Sequence, residues 1–319
     1  MDSKKVCVVG AGYWGTNHIR TLDKMNALGG IVESNSEKLK PLSEQYPDIS
    51  IYQDLDDAIN NDEIAGFSIT TPAETHFKLA KKIIEAKKHV LVEKPFTLTI
   101  EHAETLVKLK DKNLVNLMVG HILLFHPAVN KIKELILEGK IGKLQYIYSN
   151  RLNLGQVRSE ENVFWSLAPH DVSILQYFTE SYPKSIKAHG SIFLQEGIHD
   201  STVTILEYPT GVNGHIFVSW LHPFKEHRLV IIGSEGMISF EDSTPGMPIK
   251  YYDKKFEINE MALNKIDGPI ELIKYDQEKP LTKELKYFIN HLDGSELKLA
   301  NGRHALEVTK ILVKASNEL

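Results

Sequence analysis

Short apolar runs alternate with longer amphipathic stretches over the first 120 residues. Apolar runs bounded by turn residues predict buried strands, and they lie at 6–10, 29–34, 49–52, 66–70, 89–93 and 114–120. Between them apolar residues recur at helical spacing, which predicts helices after residue 12 and at 36–46, 54–61, 73–87 and 100–112. Strands that alternate with helices of this length predict right-handed βαβ units in a doubly wound parallel sheet of the Rossmann type.

The rhythm changes after a predicted helix at 127–138. A long extended run at 142–154 and a helix at 170–178 precede a series of alternating segments that predict strands at 185–193, 202–208, 214–220, 228–233 and 237–241. Consecutive strands with short turns predict an open, mainly antiparallel sheet in an α+β domain. We expect residues 243–280 to be irregular and two helices, 281–292 and 301–318, to close the chain. The domain boundary falls near 122–127, giving domains of 1–122 and 123–319.

Composition narrows the class of protein. The chain has 319 residues, 42% hydrophobic and 25% charged, enough for two globular domains. A formal net charge of −5 provides no broad basic surface for nucleic acid. One cysteine, Cys7, allows neither an internal disulfide nor a cysteine metal cluster. No apolar stretch approaches the length of a membrane span. We expect a soluble cytoplasmic protein with no membrane or nucleic-acid partner.

A glycine-rich turn directly after the first strand is the first candidate site. Gly10, Gly12 and Gly15 lie in Gly-Ala-Gly-Tyr-Trp-Gly and open the first helix, so a pyrophosphate could approach backbone N–H groups at a helix N-terminus. Glu33 ends the next strand, 23 residues after Gly10, where a carboxylate binds a ribose diol. No arginine follows Glu33, which favours NAD over NADP. The alternative is a glycine turn with only a structural role.

Three further strand ends would meet the same crevice. The candidate cofactor-binding residues are Gly10, Gly12, Tyr13, Trp14, Gly15, Glu33, Ser34, Thr70, Thr71, Pro72, Glu93, Lys94 and His121. Thr70, Thr71 and Pro72 also fit a plain helix start. Lys94, at the end of an apolar strand in Val-Leu-Val-Glu-Lys-Pro, is the first candidate for a catalytic residue. The alternative is a structural lysine that forms a salt bridge with Glu93 or with a helix carboxylate. Pro95 fixes the chain there and could take a cis bond.

These motifs resemble those of one family. Gly-Ala-Gly-Tyr-Trp-Gly, Thr-Pro-Ala-Glu-Thr-His, Glu-Lys-Pro, and Val-Gly-His with Phe-His-Pro-Ala are similar to the glucose-fructose oxidoreductase, inositol dehydrogenase and rhizopine catabolism family, densely over residues 5–128. The resemblance implies an NAD(P)-dependent sugar or polyol dehydrogenase with the nicotinamide beside Lys94. It also implies that a histidine four residues after an aspartate faces the substrate. His170 matches the histidine, but Ser166 stands where the family has the aspartate.

The second domain resembles a narrower branch. Asn-Arg-Leu-Asn-Leu-Gly at 150–155 and Asn-Val-Phe-Trp-Ser-Leu-Ala-Pro-His-Asp at 162–171 are similar to enzymes that oxidise C3 of UDP-N-acetylglucosamine or its uronate. The candidate catalytic residues are Lys94 and His170, and the candidate substrate-binding residues are Lys94, Arg151, Asn153, Arg158, Trp165 and His170. Polar strand and loop positions and a core aromatic are the alternatives for Arg151, Asn153, Arg158 and Trp165. Asp171 fits a helix N-terminal carboxylate, and His126 a structural or cofactor-adjacent residue.

The function predicted from these residues is NAD-dependent oxidation of a secondary hydroxyl, expected at C3, of a UDP-linked N-acetylhexosamine or its uronate. His170 would take the hydroxyl proton and Lys94 would stabilise the alkoxide. Two alternatives stay open: a keto-sugar reductase with a recycled bound cofactor, and a non-catalytic regulatory subunit that binds NAD or sugar. No histidine and carboxylate spacing indicates a metal. The open sheet face, with Ile205 and Trp220, must be covered by another surface, and the family resemblance implies that a homodimer or homotetramer covers it.

Overall fold

The computed structural model describes residues 4–244, 246–259 and 262–319. The chain forms two compact units. The first ends at Ile122 and is completed by Lys279–Thr309, and the second comprises Leu123–Glu278 and Lys310–Leu319. The predicted domains of 1–122 and 123–319 stay a prediction, and the compact units differ from them in that residues 279–309 group with the first unit.

Six parallel strands in the order β3-β2-β1-β4-β5-β6 form the sheet of the first unit. They are β1 (Lys5–Val9), β2 (Leu28–Val32), β3 (Ile51–Tyr52), β4 (Ile64–Ile69), β5 (His89–Val92) and β6 (Leu117–Val119). The helices between them are α1 (Tyr13–Lys24), α2 (Ser36–Gln45), α3 (Leu55–Ile59), α4 (Ala73–Glu85) and α5 (Ile100–Asn113). This is the predicted doubly wound Rossmann sheet. Its central strands β1, β4 and β5 are mostly apolar because helices cover both faces.

The strand register determines which residues meet at one edge of this sheet. Val9 pairs with Ile69, Ile69 with Val92, and Val92 with Val119. The residues that follow each of these strands therefore lie side by side along the carboxyl edge, where open α/β sheets bind their ligands. Gly10, Thr70, Glu93 and Gly120 are the residues placed there.

The second unit contains an eight-stranded sheet in the order β14-β13-β12-β11-β7-β10-β9-β8, antiparallel except where β10 pairs with β7. A 3₁₀ helix at Ile122–Phe125 is followed by α6 (Pro127–Leu137), β7 (Leu144–Leu152) and α7 (Val163–Thr179). The remaining strands are β8 (Ser185–Ser191), β9 (Ser201–Glu207), β10 (Asn213–Ser219), β11 (Glu226–Gly233), β12 (Met237–Glu241), β13 (Ile249–Asn259) and β14 (Ala262–Ile273). The α+β domain with a mainly antiparallel sheet is confirmed.

Two predictions in this unit are wrong. Residues 243–280 are not irregular throughout, because β13 and β14 pair with each other over most of their length. Apart from the buried Ile249 and Tyr251, the described side chains of this pair are half-buried or exposed, so no continuous buried face marks it as a half-buried strand pair. The helix predicted at 170–178 begins earlier, at Val163, where the Asn162 side chain accepts the Trp165 N–H. Pro169 lies inside this helix rather than at its start.

Two helices close the chain, α8 (Pro280–Asn290) and α9 (Gly302–Ser316). Helix α8 packs against α1. A Cβ placed on Gly66 of β4 would lie 2.5 Å from Leu292 and 3.1 Å from Phe288, so this glycine admits the apolar face of the C-terminal segment. Burial of that face against the parallel sheet explains why Lys279–Thr309 joins the first unit.

Candidate active site

The glycine-rich turn has the geometry of an anion site. Gly10 has a φ of +96°, and a Cβ on Gly15 would lie 1.9 Å from the Gly10 carbonyl oxygen, so both positions require glycine. Gly12 is the N-cap of α1 and faces open space, since a Cβ there would meet no atom within 4 Å. Within the described ranges no side chain caps α1, which leaves N–H groups of its first turn for a pyrophosphate.

The acidic residue at the end of β2 is held against this turn. The Glu33 carboxylate is buried and accepts the backbone N–H groups of Ala11 at 3.0 Å and Asn35 at 2.9 Å. Lys38 Nζ lies 3.6 Å away. Ser34, the next residue, is exposed. This places a fixed carboxylate beside the glycine turn, where it can accept hydrogen bonds from a ribose diol and would repel a 2′-phosphate.

The end of β4 supports the turn from the neighbouring strand. Thr70 Oγ1 is 3.0 Å from the Val9 carbonyl oxygen and 2.8 Å from that of Gly10. Thr71 Oγ1 and Thr75 Oγ1 lie 2.6 Å apart at the start of α4, whose N-cap is Pro72. These residues therefore begin a helix and support the glycine turn, and their role in cofactor binding stays a prediction.

Lys94 follows β5, and the Lys94–Pro95 peptide bond is cis. The next strand end brings His121 close to it. His121 is 1% exposed, with its ring edge-on to that of His304 at 5.5 Å between centroids. Burial lowers the pKa of His121 well below its usual range, and the positive charge of Lys94 is among the further causes. Burial also lowers the pKa of His304 to about 4. His121 is thus a neutral imidazole beside the lysine.

Sequence reasoning missed two histidines of this unit. His76 of α4 connects two strand ends, since its Nδ1 lies 2.9 Å from the Pro95 carbonyl oxygen and its Nε2 2.9 Å from that of Thr71. His18 of α1 is fully buried and lies 3.0 Å from Glu93. His18 lies one helical turn after Gly15 on the apolar face, which was the available signal. Tyr13, in contrast, is 90% exposed.

In the second unit, α7 carries Ser166 and His170 one helical turn apart. Asp171 lies in the middle of this helix, so the prediction of a helix N-terminal carboxylate is wrong: α7 begins eight residues before it. The fully buried Asp171 instead forms a bidentate ion pair with Arg151 of β7, with distances of 2.8 Å from Nε to Oδ2 and 3.0 Å from Nη2 to Oδ1. Ser149 donates to Oδ1 at 2.5 Å.

This ion pair determines what Arg151 can offer to a ligand. Burial lowers the pKa of Arg151, but the charge and hydrogen bonds of Asp171 raise it by more, so the guanidinium stays charged. Its Nη1 lies 3.4 Å from His227 Nδ1, and burial followed by the Arg151 charge lowers the pKa of His227 to about 4. Two of the three guanidinium nitrogens are engaged by Asp171. A ligand could reach Arg151 chiefly through Nη1, and its substrate role stays a prediction.

The other predicted substrate residues are dispersed over the same unit. Asn153 follows β7, and its buried Oδ1 has no hydrogen-bond partner in the part of the chain that the structure describes. Arg158 is half exposed and lies 3.4 Å from Glu161. The half-buried Trp165 donates its indole N–H to Ser316 Oγ at 2.8 Å. Their roles in substrate binding stay predictions.

Comparison with known proteins identifies the family. Residues 4–121 match the model of the oxidoreductase family with an NAD-binding Rossmann fold, and residues 129–239 match the Gfo/Idh/MocA C-terminal domain. The chain belongs to the Gfo/Idh/MocA family. This membership confirms the predicted fold and the prediction of an NAD-dependent dehydrogenase with NAD as its cofactor. No helix in the described ranges is long and apolar enough to cross a membrane.

Three members of the Gfo/Idh/MocA family illustrate the degree of sequence and structural similarity to known proteins. UDP-N-acetylglucosamine 3-dehydrogenase of Acidithiobacillus ferrooxidans is 28% identical over 57% of this chain, a match that spans 56% of that enzyme. Its solved structure superposes with a TM-score of 0.85 over 99% of this chain and 97% of its own, at 21% identity. Myo-inositol 2-dehydrogenase of Thermotoga maritima is 25% identical over 73% of this chain and 74% of that enzyme. GenD2 from gentamicin A biosynthesis, solved with NAD, has a TM-score of 0.82 at 20% identity, over 100% of this chain and 94% of its own.

Proposed function

We propose that this protein oxidises the C3 hydroxyl of a UDP-linked N-acetylhexosamine or its uronate, with NAD as the hydride acceptor. The observation that supports this substrate is the similarity to UDP-N-acetylglucosamine 3-dehydrogenase, 28% identical over 184 residues. The second-unit segments at 150–155 and 162–171, which carry Arg151, Asn153, Trp165 and His170, resemble the same branch. Bound NAD supplies the chemistry of a two-electron acceptor.

The proposed roles divide between a proton acceptor and an electrostatic stabiliser. His170 takes the proton of the C3 hydroxyl as the C–H bond breaks. The Lys94 ammonium hydrogen-bonds the same oxygen and stabilises the negative charge that develops on it. The neutral state of His121 fits this arrangement, because a second cation there would repel the lysine.

The nucleotide part of the substrate needs cationic partners. Arg158 is half exposed and lies 3.4 Å from the Glu161 carboxylate, so its guanidinium can turn toward a diphosphate. Arg151 contributes through Nη1 while Asp171 holds its other nitrogens. Trp165 offers a ring face to the sugar or base.

The test is a substrate panel with the full-length protein and NAD. We expect NADH absorbance with UDP-N-acetylglucosamine or its uronate and none with free N-acetylglucosamine or myo-inositol. Lys94→Met and His170→Asn should each lower kcat by roughly 10²–10³-fold while NAD still raises the melting temperature. Turnover of myo-inositol without turnover of any UDP-sugar would refute the substrate assignment.

Ser166 keeps a second function under consideration. A serine offers no charge to His170, which is the feature expected of a non-catalytic NAD- or sugar-binding subunit. Thermal stabilisation by NAD together with silence across the whole panel would favour that function. Mass spectrometry of the purified protein would identify tightly retained NADH, the sign of a keto-sugar reductase that recycles its cofactor.

The open face of the second-unit sheet supports an oligomer. Val203 and Ile205 of β9 are 39% and 48% exposed, and Phe217 of β10 lies opposite Val203 in the ladder. Trp220, which the sequence analysis placed on this face, is buried instead. An apolar sheet face of this kind is commonly covered by a second copy. We propose a homodimer or homotetramer, which sedimentation equilibrium would test. A monomer at micromolar concentration would contradict it.

A further inference from the structure

Behind the end of β5 the first unit holds a cluster of three buried ionisable side chains. His18 comes from α1, Glu93 from the residue before Lys94, and Glu284 from α8, and one ligand atom of each lies within 4.8 Å of the others. His18 and Glu284 are 0% exposed and Glu93 is 8% exposed. The cluster thus joins the helix that follows the glycine turn, the strand end that carries Lys94, and the C-terminal segment.

Glu93 is the centre of this cluster. Its Oε1 lies 3.0 Å from His18 Nε2, and its Oε2 accepts the Lys94 backbone N–H at 3.2 Å. His18 Nδ1 lies 2.8 Å from Ser68 Oγ, so a neutral ring can accept from the serine and donate to Glu93. A Cβ on Gly120 would lie 2.8 Å from the Glu93 carboxylate, which therefore packs directly on the backbone that leads to His121.

Glu284 is the unusual member. Both of its carboxyl oxygens are buried and have no hydrogen-bond partner among the described residues when the group is taken as a carboxylate. A carboxylate in this position would face the Glu93 carboxylate at short range with no donor to compensate its charge, which is strongly unfavourable in a buried site. A carboxylic acid would instead supply the one donor that the cluster lacks.

We propose that Glu284 is a positioning residue that stays protonated, donates its proton to the Glu93 carboxylate, and so holds the backbone of Lys94 against α1. The titratable groups that face it are His18 of α1 and Glu93 at the end of β5. Burial raises the pKa of Glu284 well above its usual range, and the Glu93 charge raises it further. Burial also raises the pKa of Glu93, but His18, Trp14 and the Lys94 N–H together lower it below its usual value. One carboxyl is neutral and the other is ionised.

The arrangement links the glycine turn, where we expect the pyrophosphate, to Lys94, where we expect the nicotinamide. Trp14 and His18 belong to the helix that begins at the glycine turn, whereas Lys94 follows β5. Glu93 contacts both sides, and the proton of Glu284 orients it from a third element. A small displacement of a catalytic group is costly, because a misplacement of about 1 Å can lower the rate by about 10²-fold.

The decisive variant is Glu284→Gln, which keeps the shape and a donor but has no ionisable proton. The folded wild type keeps a proton that the unfolded chain loses above its ordinary carboxyl pKa, so its free energy of unfolding falls as pH rises. We therefore expect the difference in melting temperature, Glu284→Gln minus wild type, to become more positive as the pH is raised from about 5.5 to 8.5. A glutamine variant that is less stable at every pH, with the deficit growing toward alkaline pH, would overturn the proposal.

Two further measurements separate this proposal from other uses of the cluster. Wild type should show the infrared C=O stretch of a protonated carboxylic acid at neutral pH, and Glu284→Gln should lack it. If the three side chains instead hold a divalent cation, then chelator or added Zn²⁺ will change the wild-type melting temperature and the acid band will be absent, which would also overturn it. These readouts use the full chain and need no substrate.

The link to catalysis rests on the role proposed for Lys94 and has its own readout. Glu284→Ala should lower kcat roughly tenfold with a smaller change in the KM for NAD, and Glu284→Gln should restore most of the loss. Equal activity of wild type and Glu284→Ala would exclude the positioning role. If no substrate of the panel turns over, the infrared and pH measurements still decide the protonation of Glu284, so the two failures are distinguishable.

Discussion

Glu93 and Asp171 occupy matching positions next to the two residues proposed for chemistry, but their surroundings are opposite in kind. Glu93 precedes Lys94 and Asp171 follows His170, and both carboxylates are turned inward and buried. Glu93 is held by an imidazole, a backbone N–H and a second carboxyl group. Asp171 is held by a guanidinium and a serine hydroxyl.

This difference determines how the protonation of each site can change with pH. The Arg151–Asp171 pair contains a guanidinium that does not lose its proton at any ordinary pH. The cluster around Glu93 contains groups whose ordinary pKa values lie below or near neutrality, so its protons can redistribute. A fixed ion pair anchors α7 to β7, whereas a proton-sharing cluster anchors the Lys94 backbone.

The largest expected effect comes from Asp171→Asn. The substitution keeps the shape of the side chain at position 171 but removes the negative charge that pairs with the buried Arg151 guanidinium. Removing one partner of a buried ion pair lowers the free energy of unfolding by about 3–5 kcal/mol. Chemical denaturation followed by circular dichroism measures it.

A double replacement provides the control. Arg151→Met combined with Asp171→Leu removes both charges and should recover most of the stability, because an apolar pair of similar volume avoids the desolvation cost. A single Asp171→Asn variant as stable as wild type would show that the ion pair is not the anchor of α7.

The corresponding carboxylate-to-amide substitution at the other site, Glu93→Gln, should lower the free energy of unfolding by less than Asp171→Asn does. The amide keeps one oxygen that can accept from the His18 or the Lys94 N–H, but it lacks the negative charge that strengthens both hydrogen bonds. We expect the free energy of unfolding to fall by about 1–3 kcal/mol. Denaturation under the same conditions as for Asp171→Asn gives the comparison directly.

A double-mutant cycle sharpens this result. If Glu284 donates to Glu93, the variant Glu93→Gln with Glu284→Gln should be destabilised by less than the sum of the single changes, because the second change acts on an interaction already altered. Strict additivity would mean that the two side chains do not interact.

The sequence predicted the features that depend on local periodicity and failed where burial depends on distant partners. The six parallel strands and the glycine turn follow from apolar runs and a short motif, and each strand lies close to its predicted range. The β13 and β14 strands were missed because they pair mostly with each other and bury few described side chains, so no long run of alternating apolar residues marks them.

The candidate site shows the same division. The positions of Glu33 and Lys94 at strand ends were predictable, because each follows an apolar run in register with the glycine turn. Glu284 was not, since nothing in α8 indicates that its one buried carboxyl faces a strand end about 190 residues earlier in the chain. Pro169 was misleading, because proline is expected at a helix start and here lies within α7.

The smallest expected effect concerns Ser166, which belongs to neither the Arg151–Asp171 ion pair nor the Glu93 cluster but lies close to the proposed base His170. Ser166 is 6% exposed and lies one helical turn before His170. Ser166→Asp would place a negative charge on the same helix face, which stabilises the protonated imidazole that forms when His170 takes the hydroxyl proton. We expect kcat to rise by up to about tenfold at its optimum, with the acid limb of the pH profile moved to higher pH.

The KM for NAD and the binding of NAD should not change in this variant, because Ser166 belongs to the second unit. The matched control is Ser166→Asn, which adds similar volume without charge and should leave the pH profile in place. Activity that falls equally in both variants would mean that the position tolerates only a small side chain and that the charge is irrelevant. Activity that appears only with the aspartate would mean that the wild-type protein binds its ligands without oxidising them.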